Sequence, residues 1–298
     1  MDGILPIWKP KGMTSHDCVF KVRKHLKMKK VGHTGTLDPE VEGVLPLCLG
    51  KATKIVPFLT DTDKTYVATL CLGAATDTED QTGEILVTKK VEQALSIEEI
   101  RSVLDQFQGE IEQTVPLYSA VKVKGKKLYE YARENIEVER PRRKIQIHEL
   151  HFIDTNYDRN RNHQEIVIEV SCSKGTYIRT LCKDIGEALG YPAHMKKLIR
   201  TKSGIFTKED TIPLDTVLSM GQDKLKEYLQ PMSAGVTHLD VLAVDDVTMQ
   251  RVLYGQKLQL PDKELTTPYF RVEFQGRLLA IYEIHDNGEE IKPVRVFT

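Results

Sequence analysis

Paired cysteines are missing from this 298-residue chain. Its five cysteines (Cys18, Cys48, Cys71, Cys172, Cys182) are odd in number and scattered, and no Cys-x-x-Cys occurs. That pattern excludes a disulfide scaffold and supports neither a zinc ribbon nor a thioredoxin-like site. It suits small buried thiols in a reducing compartment. Long apolar runs are missing as well. No stretch approaches the roughly 18 residues a membrane span needs, so no membrane association is expected. Met1-Asp2-Gly3-Ile4-Leu5-Pro6 lacks the charged and apolar regions of a secretory leader, which makes a cytoplasmic location the expectation. Neither Gly-x-Gly-x-x-Gly nor a P-loop is present, and Gly43 to Gly50-Lys51 has the wrong spacing, so a nucleotide-binding reading fails.

An excess of charge of one sign is absent too, the net charge being −1. The distribution is uneven, however. Residues 1–64 carry 11 Lys/Arg against 7 Asp/Glu, and six bases with no acid fall within 21–30 (Lys21, Arg23, Lys24, Lys27, Lys29, Lys30). Residues 122–144 hold nine bases against four acids, and Lys196, Lys197, Arg200 and Lys202 form a further acid-free cluster. From Ile205 onward ten bases face fifteen acids. One such cluster is an ordinary solvated face, whereas three in one chain fit a polyanionic partner equally well.

The chain reads as α+β with a largely antiparallel sheet, because strands and helices alternate without regular βαβ spacing. Thr14 and Asp17 resemble a capping box before Val19, Val22 and Leu26 at helical spacing. Gly32, Gly35, Pro39, Gly43, Pro46 and Gly50 punctuate an ordered loop around a short apolar strand, Val44–Leu49. Strands are expected at 65–72, 145–153 and 165–172. Ser96 and Glu99 cap a helix with Ile97, Ile100, Leu104 and Phe107 on one side. Ser173-Lys174-Gly175-Thr176 opens another, with Ile178, Leu181, Ile185 and Leu189 on its apolar face and Gly190 at its end. Residues 110–144, basic and rich in tyrosine, interrupt the sheet pattern apart from a helical turn at Leu128–Ala132. Short strands after Pro231 mark a small β-rich unit, giving domains at 1–235 and 236–298.

Three places combine glycine-made freedom with polar side chains. Within Gly32-His33-Thr34-Gly35-Thr36-Leu37-Asp38-Pro39, the proline pushes Asp38 out of helical geometry and can aim its carboxylate into a cleft. A lone Asp-Pro more often caps a turn. Tyr66 begins a strand in Lys64-Thr65-Tyr66, where most tyrosines are half-buried core. Arg179 stands in the first turn of its helix, where the helix dipole disfavours a cation, so a carboxylate or phosphate partner would explain it better than a surface position.

The run from Gly32 to Pro46 resembles the signature of the TruB family of tRNA pseudouridine synthases. Lys9-Pro10-Lys11-Gly12-Met13-Thr14-Ser15, Lys64-Thr65-Tyr66, Ser173–Arg179 and Leu198–Gly204 match in the family's order. Tyr118-Ser119-Ala120 and Gly125–Glu130 are similar to its inserted RNA-contacting segment, which places that insertion at about 110–144. Coverage runs from about residue 4 to residue 206, and the C-terminal unit is similar, more weakly, to the family's PUA-like domain. The resemblance implies isomerisation of uridine 55 in the T-arm loop of tRNA. It implies Asp38 as catalytic aspartate, Tyr66 stacking on the flipped uracil and Arg179 pairing with the aspartate. Tyr177, Leu198 and His33 would line the base pocket or engage the loop nucleotide, Lys126 and Lys127 would contact RNA, and Lys9 and Pro10 would support the catalytic loop. A monomer with tRNA as its partner is implied, with no obligatory protein partner, no metal and no organic cofactor. That chemistry is self-consistent. Moving C1′ from N1 to C5 changes no oxidation state, and one carboxylate suffices where a glycosidase normally needs a second. A non-catalytic RNA-binding or tRNA-folding protein on the same scaffold is the alternative of another class, and a nucleoside hydrolase is disfavoured by the missing second acid.

Overall fold

The computed structural model describes residues 1–297. Among them, ten strands form one mixed sheet. Its main path runs Ile212–Pro213, Gly3–Lys9, Glu42–Leu49, Ala193–Ser203, Lys64–Leu72, His163–Cys172, Arg142–Asp158 and Gly109–Thr114. The pairs Gly3–Lys9 with Ile212–Pro213 and Glu42–Leu49 with Ala193–Ser203 are parallel; the other neighbours along this path are antiparallel. The α+β reading with a mainly antiparallel mixed sheet therefore holds.

Helices cover the sheet because their apolar stripes match its alternating faces. Val19, Val22 and Leu26 of the helix Ser15–Leu26 pack on Leu5, Ile7, Leu45 and Leu47. The Thr14–Asp17 capping box closes that helix, each side chain reaching the other's backbone N–H. Ile178, Leu181 and Ile185 of the helix Ile178–Ala188 join Ile100 and Leu104 over Leu70, Ile166, Ile168 and Val170. Ile97 departs from expectation. It lies 41% exposed at the first position of the helix Ile97–Leu104, one turn too early to reach the core.

The segment 32–50 is more regular than its glycines and prolines suggest. Val31–His33 and Glu42–Leu49 pair with each other, so the irregular part shrinks to the loop between them, residues 34–41. Gly43 is indispensable there. It has φ +133°, and a Cβ would lie 2.2 Å from the Arg200 carbonyl across the parallel pairing.

The break in the sheet is shorter than 110–144. Gly109–Thr114 and Arg142–Asp158 pair antiparallel, with Lys144–Glu110 at 2.8 Å and Arg142–Glu112 at 3.2 Å across them. Only residues 115–141 project. They form a hairpin (Lys122–Val123 with Lys126–Lys127), turned at Lys124 and Gly125 with positive φ, and the helix Leu128–Arg133.

The β-rich C-terminal unit has five strands in the order Asp240–Ala243, Tyr269–Phe274, Arg277–Ile284, Glu290–Val296, Leu258–Gln259. Phe270, Val272, Ala280, Tyr282 and Ile291 make its own core. Val236, Leu278, Ile281 and Phe297 share a second apolar cluster with Ile4, Val44, Ile55 and Phe58 of the large sheet's side. This unit is thus packed onto the rest rather than tethered to it.

Candidate active site

A cleft of about 490 Å³ opens where the 34–41 loop, the central strands, the root of the insertion and the Ser173–Tyr177 turn meet. Asp38, Tyr66, Tyr177, Arg179 and Leu198 all line it. The loop bearing Asp38 is pinned through its backbone. Lys9, fully buried, donates from Nζ to the carbonyls of Pro10 (2.8 Å), Pro39 (3.2 Å) and Val41 (2.6 Å). Leu37 N–H donates to Ser15 Oγ at 2.8 Å, and Gly12 N–H to the Pro39 carbonyl at 2.9 Å. Burial pushes the Lys9 amine down, while nearby Cys18, Asp38 and Glu40 favour its charge. The loop is held this way on both sides of Asp38, whose side chain stays 44% exposed at the cleft wall.

Tyr66 lies on the central strand, opposite Arg200 on one neighbour and Val170 on the other. Burial raises its phenol, and the Arg200 guanidinium opposes that shift. Arg200 corrects an expectation. It is 1% exposed, donating from Nε to the Val44 carbonyl at 2.8 Å and from Nη2 to the Gly35 carbonyl at 3.3 Å, so it braces the cleft instead of offering charge to solvent. Lys64 is 7% exposed. Its Nζ donates to the carbonyls of Thr60 (2.7 Å) and Thr62. Burial, with Arg200 nearby, lowers the Lys64 amine from 10.5 to about 8. Below about pH 8 folded and unfolded chains both hold this proton. Between about 8 and 10.5 only the unfolded chain keeps it, so this group makes stability rise with pH through that window and flat above it. Denaturant titrations should show wild type gaining on Lys64→Met by about 1–3 kcal/mol from pH 8 to pH 10. Parallel curves would show that Lys64 is not burdened by burial.

Arg179 is the second residue of its helix and its side chain is 9% exposed. Its Nε lies 3.3 Å from Asp38 Oδ2, and its Nη1 lies 3.7 Å from Asp80 Oδ2. It also donates to the carbonyls of Thr78 (3.3 Å) and Tyr118 (3.1 Å). Two carboxylates therefore offset the unfavourable helix-end position. Tyr177, just before this helix, exchanges two backbone bonds with the Gln113 side chain (2.8 and 2.9 Å), and its ring lies 5.1 Å from the Arg143 guanidinium. Ser119 at the cleft wall is buried, and its hydroxyl lacks a protein partner.

Besides Lys9 and Pro10, three expected site residues lie outside this lining. His33 is half-buried on the strand Val31–His33, its Nδ1 accepting from Gly35 N–H at 3.3 Å and its basicity lowered by burial and by Arg200. Lys126 and Lys127 sit on the projecting hairpin. There Lys126 pairs with Glu134 and lies over Tyr131, and Lys127 lies over Tyr129. Asp80, Gln113 and Ser119 had no assigned role from sequence, although Ser119 fell in a motif already noted. No cluster of His, Cys, Asp and Glu suited to a metal ion occurs among the described residues, and all five cysteines are buried and free.

The TruB family pseudouridylate synthase model (N-terminal domain) matches residues 23–178, and the tRNA pseudouridylate synthase B C-terminal domain model matches 179–237. The chain belongs to the TruB family of pseudouridylate synthases. Among individual relatives, the tRNA pseudouridine synthase B of Oceanobacillus iheyensis is 54% identical, covering 100% of this chain and 98% of its own. That of Listeria welshimeri is 50% identical over 99% and 98%. Among solved structures, the fold is similar to one in a Cbf5–Nop10–Gar1 complex (TM-score 0.76, 28% identity, 99% of this chain and 84% of that one). It is also similar to one in an H/ACA RNP bound to a substrate RNA containing 2′-deoxyuridine (TM-score 0.75, 25% identity, 99% and 85%).

Proposed function

We propose that this protein isomerises uridine 55 in the T-arm loop of tRNA to pseudouridine, with Asp38 as the catalytic carboxylate. The observation that carries the reading is the Asp38–Arg179 pair, 3.3 Å apart at the wall of a cleft that Tyr66 also lines. Isomerisation breaks N1–C1′ and forms C5–C1′; the C5 proton leaves and N1 gains one. The reaction needs a reactive carboxylate held in one place, and the guanidinium fixes that of Asp38 at the cleft wall. It also needs the base removed from its stack, and an aromatic face offsets roughly 1–3 kcal/mol of lost stacking. Tyr66 offers that face, with Tyr177 and Leu198 as further walls, and the unpartnered Ser119 hydroxyl is free to bond the nucleotide. Lys9 and Pro10 act through the backbone of the Asp38 loop. His33, at the start of that loop with its Nδ1 accepting from Gly35 N–H, engages the loop nucleotide from its edge.

The chain works as a cytoplasmic monomer in this reading. Residues 1–235 perform the chemistry, and 236–298 add contacts on the acceptor side of the tRNA. The test is tritium release from tRNA labelled at C5 of uridine. A synthase releases tritium and retains the base, a hydrolase liberates free uracil, and a purely RNA-binding protein does neither.

Affinity comes from basic side chains on the phosphates, Lys126 and Lys127 on the insertion among them. Binding therefore weakens steeply with salt. Reversing Lys126 and Lys127 to Glu should weaken tRNA binding by about tenfold or more, and reversing Lys224 and Lys226 by less than about twofold, in filter-binding titrations at fixed salt. Equal losses from the two pairs would refute this map.

A further inference from the structure

Glu79 is a buried carboxylate outside the cleft lining, 7% exposed, in a backbone conformation that non-glycine residues rarely adopt (φ +63°). A polar residue held this way invites an explanation in what its side chain joins. Its Oε2 accepts from Thr180 Oγ1 at 2.6 Å, and Thr180 follows Arg179 in the first turn of the same helix. Its Oε1 lies 3.8 Å from Nη1 of Arg140, at the far root of the projecting insertion. The near root is tied to the same segment, since Tyr118 Oη donates to Asp77 Oδ2 at 3.1 Å and the Tyr118 carbonyl accepts from Arg179. The flanking residues Thr78 and Asp80 hold Arg179 directly. Met195 N–H donates to the Glu79 carbonyl at 2.9 Å, anchoring the strained residue to a central strand.

Both roots of the insertion and the helix bearing Arg179 thus converge on residues 77–80. We propose that Glu79 is a positioning residue, joining Arg140 of the insertion to the Arg179 helix so that the insertion's placement on RNA sets how Arg179 meets Asp38. The proposal rests on the synthase reading above. Its test compares variants with an active wild type, so a wild type that makes no pseudouridine would refute that reading and not this one.

Glu79→Gln keeps the size and can still accept from Thr180, but loses the charge facing Arg140. Arg140→Met removes the other partner at a position whose side chain is 37% exposed, where folding is not at risk. Single-turnover pseudouridine formation at saturating enzyme should slow about tenfold in each variant, with tRNA affinity changed less than about threefold. The double variant should be no slower than either single one, because one contact is lost in all three. Trypsin should also cut the insertion of each free variant faster than that of wild type. Multiplying losses, an unaltered rate in Glu79→Gln, or a slow Glu79→Gln beside a normal Arg140→Met would each overturn the proposal.

Discussion

Asp38→Asn is expected to bind tRNA as wild type does and to form no pseudouridine. The substitution keeps the shape and removes the negative charge and the nucleophile. The fold should tolerate it, because the loop is held through backbone groups by Lys9, Ser15 and Gly12, none of which bonds the Asp38 side chain. Arg179 is not orphaned either, since Asp80 and two carbonyls remain. Phosphate contacts far from this side chain supply most of the affinity, which should stay level or tighten slightly as one anion facing RNA disappears. Asp80 cannot stand in, because its other carboxylate oxygen accepts from Thr78 Oγ1 (2.8 Å), Thr82 N–H (2.9 Å) and Thr82 Oγ1 (2.6 Å) within its own turn. The single-turnover rate should fall by at least about 10⁴-fold, with Asp38→Glu also failing because an extra methylene misplaces the reacting oxygen. Substantial product from a preparation verified free of wild type would show that Asp38 is not the reacting group.

Features encoded within a few residues could be read from the sequence. The Thr14–Asp17 and Ser96–Glu99 boxes are both closed in the structure, and the stripe through Ile178, Leu181 and Ile185 is buried as the spacing implied. Asp38, Tyr66, Tyr177, Arg179 and Leu198 converge on one cleft, as the shared motifs implied. Features that depend on long-range pairing could not be read. Arg200 looked like one base in a surface cluster, and its burial follows only once its strand is laid between Tyr66 and Gly43. The strand Gly109–Thr114 was hidden because it is an edge strand whose outward Glu110 and Glu112 meet Lys144 and Arg142, a charged edge that blurs alternation. Asp77 to Asp80 form a polar turn without periodicity. Their importance lies in Arg179 and the insertion, which reach them from distant parts of the chain.

Arg179→Met should separate catalysis from stability most cleanly. The arginine is a cation at the positive end of a helix, so its removal relieves a dipole conflict while leaving the Thr78 and Tyr118 carbonyls without its donors. These effects oppose one another, and the melting temperature should move by no more than about 4 °C in either direction. The site has no such compensation. Asp38 and Asp80 lose the cation between them, so the guanidinium no longer fixes the Asp38 carboxylate at the cleft wall where the reacting base must meet it. The link from the Tyr118 root of the insertion to Asp38 is lost as well. Single-turnover pseudouridine formation should drop by about 10²–10³-fold. Arg179→Lys should fall between this variant and wild type. An ammonium keeps the charge but cannot present a planar fork to Asp38, Asp80 and two carbonyls at once. The informative comparison is the single-turnover rate of both variants at saturating enzyme, beside a tRNA-binding curve. The Met variant should lose rate at saturating enzyme while its tRNA affinity changes by less than about threefold. A Met variant slowed only through weaker tRNA binding, with a normal rate at saturating enzyme, would assign Arg179 to RNA contact instead of to Asp38.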